Sequence, residues 1–347
     1  MKVIKSHWRK IGACLLGLLL LASMVYYVWP LSPGKTHSPV QLVIYAFSTQ
    51  EEVFTQGIFP AFKDSWESIN GTEIQLDGVF ESSGTLAGQI NLGAPADVAV
   101  FSNANHINYL KISQVVKKDI QPLYIGASPV VIITRTGNPA NIANFSDLNQ
   151  SDLILLHADP RSSGVGEWSL LAEYGSSYLV SKDKSAALKQ VQEIWQNVHL
   201  MAPSARATLT LFELGAGDAL ITYEQDAMLA QDRGVDMEVI IPSPTILSQP
   251  VAVAIDKNIT RSERAAVQAF LVFLSSTEGQ TIFSRYHLRP ISLEGPRQFN
   301  QTNTFITEEL GGWNVAYSQL VRPYWEKEIL PYLSLDEESS ILTLEKQ

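Results

Sequence analysis

The sequence predicts an α/β protein of two lobes behind an N-terminal transmembrane or signal helix. Three observations lead to this prediction. From Gln41 onward, apolar runs typical of strands alternate with amphipathic helical patterns, as expected for sheets covered by helices. Two extended stretches flanked by proline and glycine interrupt this alternation near residues 123–130 and 245–252. An uncharged run over residues 11–28 precedes the alternating part.

The N-terminal run is the clearest topological signal. Four basic residues precede it: Lys2, Lys5, Arg9 and Lys10. The run is short for a spanning helix and long for a signal-peptide core, and no convincing cleavage site follows it. We therefore predict an uncleaved anchor over residues 11–28 in the inner membrane, with a cleaved secretory signal as the alternative. Either way, the basic flank stays in the cytoplasm, so the body is extracytoplasmic, and the proline-rich residues 30–39 form a spacer.

Composition limits the function classes that are open to the body. The chain has 347 residues, of which 46% are hydrophobic, which is enough for two domains with cores of their own. The formal net charge is −10, and no acidic residue occurs in residues 1–40, so the rest of the chain is more acidic still. Such a body is a poor partner for nucleic acid, which requires a basic face. The single cysteine, Cys14, excludes an intrachain disulfide.

Strand and helix patterns follow one another along the body. The first strand is QLVIYAF, and a helical pattern interrupted near Pro60 follows it. The strands EIQLDGVF and ADVAVFS come next, separated by the short helix LAGQINLG. After the first extended connection, the strands DLILLHA, ALITYE and MEVIIP alternate with helical patterns. Two amphipathic helices, RAAVQAFLVFLSS and EGQTIFSRYH, follow the second connection. This order predicts mostly parallel sheets.

The two extended connections predict how the chain is divided. A chain that crosses twice between lobes assigns residues 41–125 and 248–347 to lobe I and residues 126–247 to lobe II, after an anchor and linker over residues 1–40. A cleft then lies between the lobes. Ligands of open α/β sheets bind at the carboxyl ends of the strands, so we expect the ligand site where the strand ends of both lobes meet.

Four predicted strand-to-helix turns are rich in small hydroxyl residues. They are AFSTQEE, FESSGTLAG, PRSSGVGEW and MAPSARAT. Serine is a preferred N-cap, and Ser48 with Glu51 fits a capping box, so capping alone explains each turn taken singly. Together the turns also describe a pocket of helix N-termini, whose free N–H groups attract an anion. Neutral donors contribute about 1.5–3 kcal/mol each to a charged acceptor, and micromolar binding needs about 8 kcal/mol.

Five stretches of the body match one family in order and context: TGNPANIANFSDL, ADPRSSGVGEW, SARATLTLF, PSPTILSQPVAVAIDKN and LGGWNVAYSQL. With them, the sequence from about residue 42 to residue 313 resembles the periplasmic sulfate/thiosulfate-binding proteins of ABC importers. Two further stretches, SSGTLAGQINLGAPADV and ITYEQDA, resemble the related molybdate/tungstate-binding proteins. The resemblance implies a two-lobe periplasmic binding protein fold of type II, in which neutral donors hold an oxyanion in the cleft.

The resemblance also implies which residues contact the anion. Four of them would donate a side-chain hydroxyl: Ser48, Ser83, Ser163 and Tyr223. Three would donate a backbone N–H group: Gly164, Val165 and Ala205. Two positions depart from the sulfate pattern. Val165 stands where that pattern has glycine, and Tyr223 stands where it has tryptophan and the molybdate pattern has tyrosine.

The sequence thus predicts a solute-binding protein, not an enzyme, that captures sulfate or thiosulfate for an ABC permease and ATPase. A molybdate or tungstate binder and a membrane-tethered oxyanion sensor are the alternatives. A hydrolase would need a base near Ser163 or Ser83, and His157 and Glu167 are the candidates. The histidines lack metal-ligand spacing, and glycine-rich nucleotide motifs are absent from the sequence, so we expect neither a metal nor a cofactor.

Overall fold

The computed structural model describes residues 39–290, 303–329 and 331. The predicted anchor over residues 11–28 and almost all of the spacer lie outside the described residues. Within the described part of the chain, every helix is too short or too polar to span a bilayer.

Twelve strands occur in the described residues, and they are numbered here in chain order. They are β1 (Val40–Phe47), β2 (Ile74–Glu81), β3 (Val98–Phe101), β4 (Leu123–Tyr124), β5 (Ser128–Thr134), β6 (Leu155–Ala158), β7 (Val198–Ala202), β8 (Ala219–Tyr223), β9 (Glu238–Ile240), β10 (Thr245–Ser248), β11 (Val251–Ala254) and β12 (Thr304–Phe305).

The helices of eight or more residues are numbered in the same way. They are α1 (Phe59–Asn70), α2 (Ser83–Asn91), α3 (Asn105–Ile112), α4 (Gly164–Ser181), α5 (Lys184–Trp195), α6 (Ala205–Glu213), α7 (Glu224–Asp232), α8 (Arg264–Ser275) and α9 (Thr277–Arg285). Shorter helical segments are Glu51–Val53, Gly312–Val315 and Arg322–Tyr324, with π-helical turns at Phe54–Ile58, Ala316–Val321 and Trp325–Ile329 and 3₁₀ turns at Ser48–Gln50, Phe145–Asn149 and Thr307–Leu310.

Two sheets form the two lobes of the fold. The first sheet has the strand order β2-β1-β3-β11-β4, and the second has the order β12-β10-β5-β8-β6-β7, with β9 paired to β5. The chain passes from the first sheet to the second between β4 and β5, at residues 125–127, and it returns between β10 and β11, at residues 249–250. These two passages connect the lobes.

The predicted balance of parallel pairing is wrong, because both sheets are mixed. In the first sheet, β2 and β3 run parallel to β1, but β11 is antiparallel to β3 and β4. In the second sheet, β7 and β8 run parallel to β6, but β5 is antiparallel to β8, β9 and β10. The antiparallel pairs involve the strands at the two passages, where the chain leaves one sheet and returns in the opposite direction.

The C-terminal part of the predicted lobe I requires a correction. The strand β12 pairs in parallel with β10, so residues 304–305 extend the second sheet. Trp325 also packs edge-on against Trp195 of α5, with ring centroids 5.3 Å apart, and the Tyr324 hydroxyl donates to the Leu188 carbonyl. Residues 303–329 therefore pack on lobe II, because their aromatic side chains bury against its helices.

The sequence predicts a helix interrupted near Pro60, but the structure has a continuous helical run there that includes a π-helical turn. Pro60 is the second residue of α1, but helical residues precede it without a break, so its missing N–H group leaves a carbonyl of the preceding turn without this intrahelical donor. The preceding turn, Phe54–Ile58, has the wider π-helical geometry. Phe54 in this turn packs edge-on against Phe59 and so joins the core of lobe I.

The central strand of lobe II shows why the sheets hold their positions. All seven residues of β5 are buried, as expected for a strand whose two faces are both covered. Val130 and Ile132 point into the largest apolar cluster, and Val131 and Ile133 into a second one. The alternation of side chains along the strand therefore gives the sheet an apolar cluster on each of its two faces.

Candidate functional site

The cleft site is built from strand ends that lie on the same edge of each sheet. Because β1, β2 and β3 are parallel, Ser48, Ser83 and Ser102 follow their carboxyl ends on one edge of the first sheet. The strands β6, β7 and β8 are also parallel. Ser163 follows β6, Ala205 follows β7 and Tyr223 is the last residue of β8, so all three lie on one edge of the second sheet. These are the edges at which ligands of α/β sheets bind.

On the lobe I side, two serines hold each other in place. The Ser102 backbone N–H donates to Ser83 Oγ at 3.0 Å, and Ser83 Oγ donates to Ser102 Oγ at 3.2 Å. Both side chains are almost fully buried. Ser83 is the first residue of α2, so its backbone N–H also belongs to the free N–H groups of a helix start.

Ser48 is placed at the cleft, but its predicted capping box is wrong. The residue opens the 3₁₀ turn Ser48–Gln50, Phe47 occupies the N-cap position, and no side chain caps the turn. Ser48 is buried. Its hydroxyl is therefore not used as a cap.

On the lobe II side, the turn before α4 leaves its donors free. Ser163 is the N-cap residue of this 18-residue helix, in an extended conformation with φ −106° and ψ 127°, and its side chain makes no capping bond. Gly164 and Val165 are the first two helical residues, so their N–H groups have no intrahelical acceptor. The aligned peptide dipoles of a long helix place about half a positive charge at this end. The turn therefore offers donors to an anion.

The turn before α6 differs, because its serine is a true cap. The Ser204 hydroxyl accepts the Ala207 backbone N–H at 3.1 Å. Ala205 is the first residue of α6 and is buried, and α6 contacts the Ser48–Gln50 turn of lobe I. Capping explains Ser204, whereas the free N–H of Ala205 remains available at the cleft.

Tyr223 brings a buried hydroxyl without a partner. The side chain is 3% exposed, and its hydroxyl makes no hydrogen bond of ordinary geometry within the described residues. Its ring packs edge-on against Phe47, with centroids 6.1 Å apart. Burial raises the pKa of the phenol well above its usual value, and the nearby Ser102 hydroxyl partly offsets this rise. An unpartnered buried hydroxyl is costly unless a ligand satisfies it.

The structure brings the turns of α2 and α4 into direct contact across the cleft. The Gly84 backbone N–H donates to the Ser162 carbonyl at 2.8 Å. A Cβ atom at Gly164 would lie 1.7 Å from Ser102 Oγ and 3.4 Å from Ser83 Oγ. Only a glycine therefore lets the Ser102 hydroxyl approach the start of α4, and this explains why the turn carries Gly164.

Three further side-chain contacts connect the lobes around this point. Trp168 Nε1 donates to the Ser102 carbonyl at 3.0 Å, and the Asn103 amide donates to the Glu167 carboxyl group at 2.8 Å. The Gln50 amide donates to Gln225 Oε1 at 2.8 Å. All of these groups are buried, so the described arrangement is a closed cleft.

A buried glutamate and a buried histidine beside the site have strongly shifted pKa values. Burial raises the pKa of Glu167 to about 8, against the opposing hydrogen bonds from Asn103 and Asn105. Burial lowers the pKa of His106 to about 4, and the two side chains lie 4.0 Å apart. Both groups are thus held in their neutral forms at neutral pH. The helix start at Gly164 has no negative carboxylate in its first turn to compete with an incoming anion.

The hydrolase alternative gains no support from the two candidate bases. His157 directs Nδ1 to the Ala158 carbonyl at 2.7 Å and Nε2 to Glu173 at 3.2 Å. Glu167 contacts Asn103, as described above. Within the described residues, no group of three or more His, Cys, Asp or Glu side chains is arranged to hold a metal ion.

Sequence reasoning missed Ser102, which lies at the centre of the cleft. The pattern ADVAVFS counted it as the last residue of a strand, although β3 ends at Phe101. A serine directly after a buried strand was the available signal, but this turn lacks the Ser-Ser-Gly sequence that marks the turns at Ser83 and Ser163. The Asn103–Glu167 contact joins residues 64 positions apart, and no local pattern predicts it.

Comparisons with known proteins agree with this geometry. The family model described as bacterial extracellular solute-binding protein matches residues 44–289. A sulfate-binding protein of Synechococcus elongatus is 29% identical over 81% of this chain and 84% of its own length. A thiosulfate-binding protein of Pseudomonas aeruginosa is 28% identical over 81% of this chain and 89% of its own length.

A solved structure supports the fold independently. The sulfate-binding protein SubI from Mycobacterium tuberculosis H37Rv aligns with a TM-score of 0.75, covering 81% of this chain and 99% of that protein, at 24% identity. The sequence resemblance to sulfate/thiosulfate-binding proteins and the predicted two-lobe fold are confirmed by these matches. Because the family model covers most of the body, the chain belongs to the bacterial extracellular solute-binding proteins.

Proposed function

We propose that this chain captures a tetrahedral oxyanion, sulfate or thiosulfate, in the cleft between its lobes and delivers it to an ABC permease and its ATPase. The observation that carries the proposal is the convergence of neutral donors at the contact between α2 and α4. Ser83 and Ser102 face Gly164 across the cleft, and Tyr223 adds a buried hydroxyl that has no hydrogen-bond partner among the described residues.

The donor set accounts for binding without a cation in contact with the anion. Ser48, Ser83, Ser163 and Tyr223 supply hydroxyls, and Gly164, Val165 and Ala205 supply backbone N–H groups. Hydrogen bonds to a charged acceptor contribute about 1.5–3 kcal/mol each, and association itself costs several kcal/mol. About seven such bonds therefore leave enough for the roughly 8 kcal/mol of micromolar affinity.

The closed cleft also accounts for delivery. Ser163, Ser83 and Tyr223 are buried in the closed cleft. An anion can therefore enter or leave only when the lobes move apart, with the two passages as the hinge. Residues 11–28 would hold the closed protein at the inner membrane, near the permease. This role needs no chemistry from the chain itself.

Binding of molybdate is the second candidate, and Tyr223 favours it. A phenolic hydroxyl both donates and accepts, whereas an indole N–H only donates. A site with tyrosine therefore tolerates a larger or protonated oxyanion better than a site with tryptophan at that position. A membrane-tethered oxyanion sensor would use the same cleft and would differ only in its partner.

Calorimetric titration of the full chain with sulfate, thiosulfate, molybdate and phosphate tests the proposal. We expect sulfate or thiosulfate to bind at micromolar concentration or tighter, with phosphate at least about tenfold weaker, a difference of about 1.4 kcal/mol. Tighter binding of molybdate would favour the second candidate. Failure of all four anions to bind would contradict the proposed function.

A further inference from the structure

Ser102 lies in the centre of the cleft and is held there by groups that do not use its hydroxyl proton. Its backbone N–H donates to Ser83 Oγ, and its backbone carbonyl accepts Trp168 Nε1 from the opposite lobe. Its hydroxyl oxygen accepts the Ser83 hydroxyl proton at 3.2 Å. The side chain is 2% exposed.

The direction of these bonds decides which serine still has a proton to give. A hydroxyl carries one donor hydrogen, and Ser83 directs its own to Ser102. Ser102 keeps its hydrogen. The free hydroxyl donor of the pair is therefore on Ser102, while Ser83 serves to orient it.

The surroundings of the Ser102 hydroxyl are those of a ligand contact. Gly164 leaves room for Ser102 Oγ at the start of α4, where a Cβ would come within 1.7 Å. The Tyr223 hydroxyl lies near the Ser102 hydroxyl, which offsets part of the rise that burial causes in the pKa of the phenol. Two hydroxyls and a helix start thus meet at one point, and within the described residues no hydrogen bond of ordinary geometry satisfies the Tyr223 hydroxyl.

We propose that the Ser102 hydroxyl donates directly to the bound oxyanion, as an eighth contact that Ser83 orients. The inference rests on the proposed function, because it concerns the same anion. It also revises the role of Ser83: its hydroxyl proton is directed to Ser102 Oγ and its Oγ accepts the Ser102 backbone N–H, so Ser83 contacts the anion through its own backbone N–H at the start of α2. It also gives the site a donor from the end of β3, the third parallel strand of lobe I.

The competing explanation is that Ser102 only braces Ser83. Substitution by alanine separates the two explanations, because Ser102→Ala keeps the backbone bonds to Ser83 and Trp168 and removes only the hydroxyl. If Ser102 only braces Ser83, Ser102→Ala lowers anion affinity only in a protein that keeps the Ser83 hydroxyl. If Ser102 contacts the anion, Ser102→Ala lowers anion affinity both in wild type and in Ser83→Ala.

The experiment is a double-mutant cycle in the full chain, with sulfate affinity measured by calorimetry for wild type, Ser83→Ala, Ser102→Ala and the double variant. We expect Ser102→Ala to weaken binding at least about tenfold in the wild-type background, as for a hydrogen bond to a charged acceptor. We expect a further several-fold loss from Ser102→Ala in the Ser83→Ala background. The matched control is Ser169→Ala, which removes another buried hydroxyl that donates to the Val165 carbonyl within α4 at 2.8 Å. This control should bind sulfate as wild type does.

Three outcomes would count against the inference. A double variant no weaker than Ser83→Ala would assign Ser102 the bracing role only. Unchanged affinity of Ser102→Ala, with wild type binding sulfate, would remove Ser102 from the site and leave the proposed function intact. Failure of wild type to bind sulfate, thiosulfate or molybdate would overturn the proposed function and this contact together. If Ser102→Ala does not fold, the sulfate-bound crystal structure of wild type decides, with Ser102 Oγ expected about 2.5–3.0 Å from an anion oxygen.

Discussion

The Asn103 side-chain amide in lobe I donates a hydrogen bond of 2.8 Å to the Glu167 carboxyl group in lobe II. Glu167 lies three residues after Gly164, on the helix whose first N–H groups face the cleft. A cavity of about 520 Å³ opens beside it, and its lining includes His106, Tyr317 and two arginines, Arg161 and Arg322. Both arginines pair with nearby acids, Asp159 and Glu326.

The shifted pKa of Glu167 predicts a loss of stability as the pH rises. Burial raises this pKa from its usual value of 4.5 to about 8, so the folded protein holds a proton that the unfolded chain releases at lower pH. Stability therefore falls as the pH rises through this window. His106 has the opposite sign, because its lowered pKa makes stability rise with pH from about 4 to 6.5. The effect of Glu167 is therefore clearest above pH 6.5.

Glu167→Gln should remove this pH dependence. For wild type without anion, we expect the free energy of unfolding to fall by about 1–2 kcal/mol between pH 6.5 and 8, and we expect a flatter profile for the variant. Thermal unfolding in a series of buffers measures both profiles. Glu73→Gln, which removes an exposed carboxylate of lobe I, should behave as wild type does. Equal slopes for wild type and Glu167→Gln would show that Glu167 is ionised in the fold.

Ser163 and Ser204 occupy equivalent N-cap positions, and their alanine variants should behave differently. Ser163 makes no capping bond, so Ser163→Ala should weaken anion binding by about 1–3 kcal/mol and change the stability of the anion-free protein little. Ser204 does cap its helix, so Ser204→Ala should lower the free energy of unfolding by about 1 kcal/mol. Calorimetry and thermal unfolding report the two effects separately. A loss of anion affinity below about 0.5 kcal/mol for Ser163→Ala would remove its hydroxyl from the site.

Gly164→Ala should prevent the cleft from closing on an anion. The added methyl group would lie 1.7 Å from Ser102 Oγ, so either the serine must leave the cleft or the helix start must move away. We expect anion affinity to fall at least about tenfold, or about 1.4 kcal/mol. Gly88→Ala is the control, because no described atom outside its own helix backbone and its two chain neighbours lies within 4 Å of the added Cβ. This variant should gain about 0.5–1 kcal/mol of helix stability. Equal anion affinity of Gly164→Ala and wild type would be incompatible with the closed cleft described here.

Tyr223 should decide which anions the site accepts. Tyr223→Phe removes a buried hydroxyl that has no hydrogen-bond partner in the part of the chain that the structure describes, so we expect every bound anion to lose about 1–2 kcal/mol of affinity while the anion-free protein keeps its stability. Tyr223→Trp replaces a donor and acceptor by a donor alone and should sharpen the preference for sulfate over molybdate. Competition titrations of the three proteins measure both effects. Unchanged affinities for both variants would remove Tyr223 from the site.

The sequence predicts the lobe architecture and most of the strand ends, because strand-to-helix turns carry a local signature. The turn at Ser163 is an example, with two hydroxyls and a glycine between an apolar run and a helical pattern. Local signatures cannot decide whether a serine caps a helix, so Ser163 and Ser204 look alike in the sequence and differ in the structure. They also cannot predict contacts between lobes, and for this reason Ser102, Asn103 and Glu167 were not recognised as one cluster.

The direction of the returning strands and the place of the C-terminal segment depend on long-range packing. The apolar strand β5 pairs antiparallel with β8, although its composition suits a parallel strand equally well. Phe305 of β12 packs beside Gly175 in the middle of α4, and nothing near Phe305 in the sequence indicates this partner. Such relationships follow from which surfaces remain to be covered once the lobes have formed.

The most direct test of the central claim is the position of an oxyanion in a crystal of the full chain grown with selenate, a tetrahedral analogue of sulfate whose selenium atom is located by anomalous scattering. The account predicts one strong peak between the start of α4 at Gly164 and the hydroxyls of Ser83 and Tyr223, with no lysine or arginine side chain in contact with the anion. A peak at another site, or none at a concentration that saturates binding in solution, would contradict it.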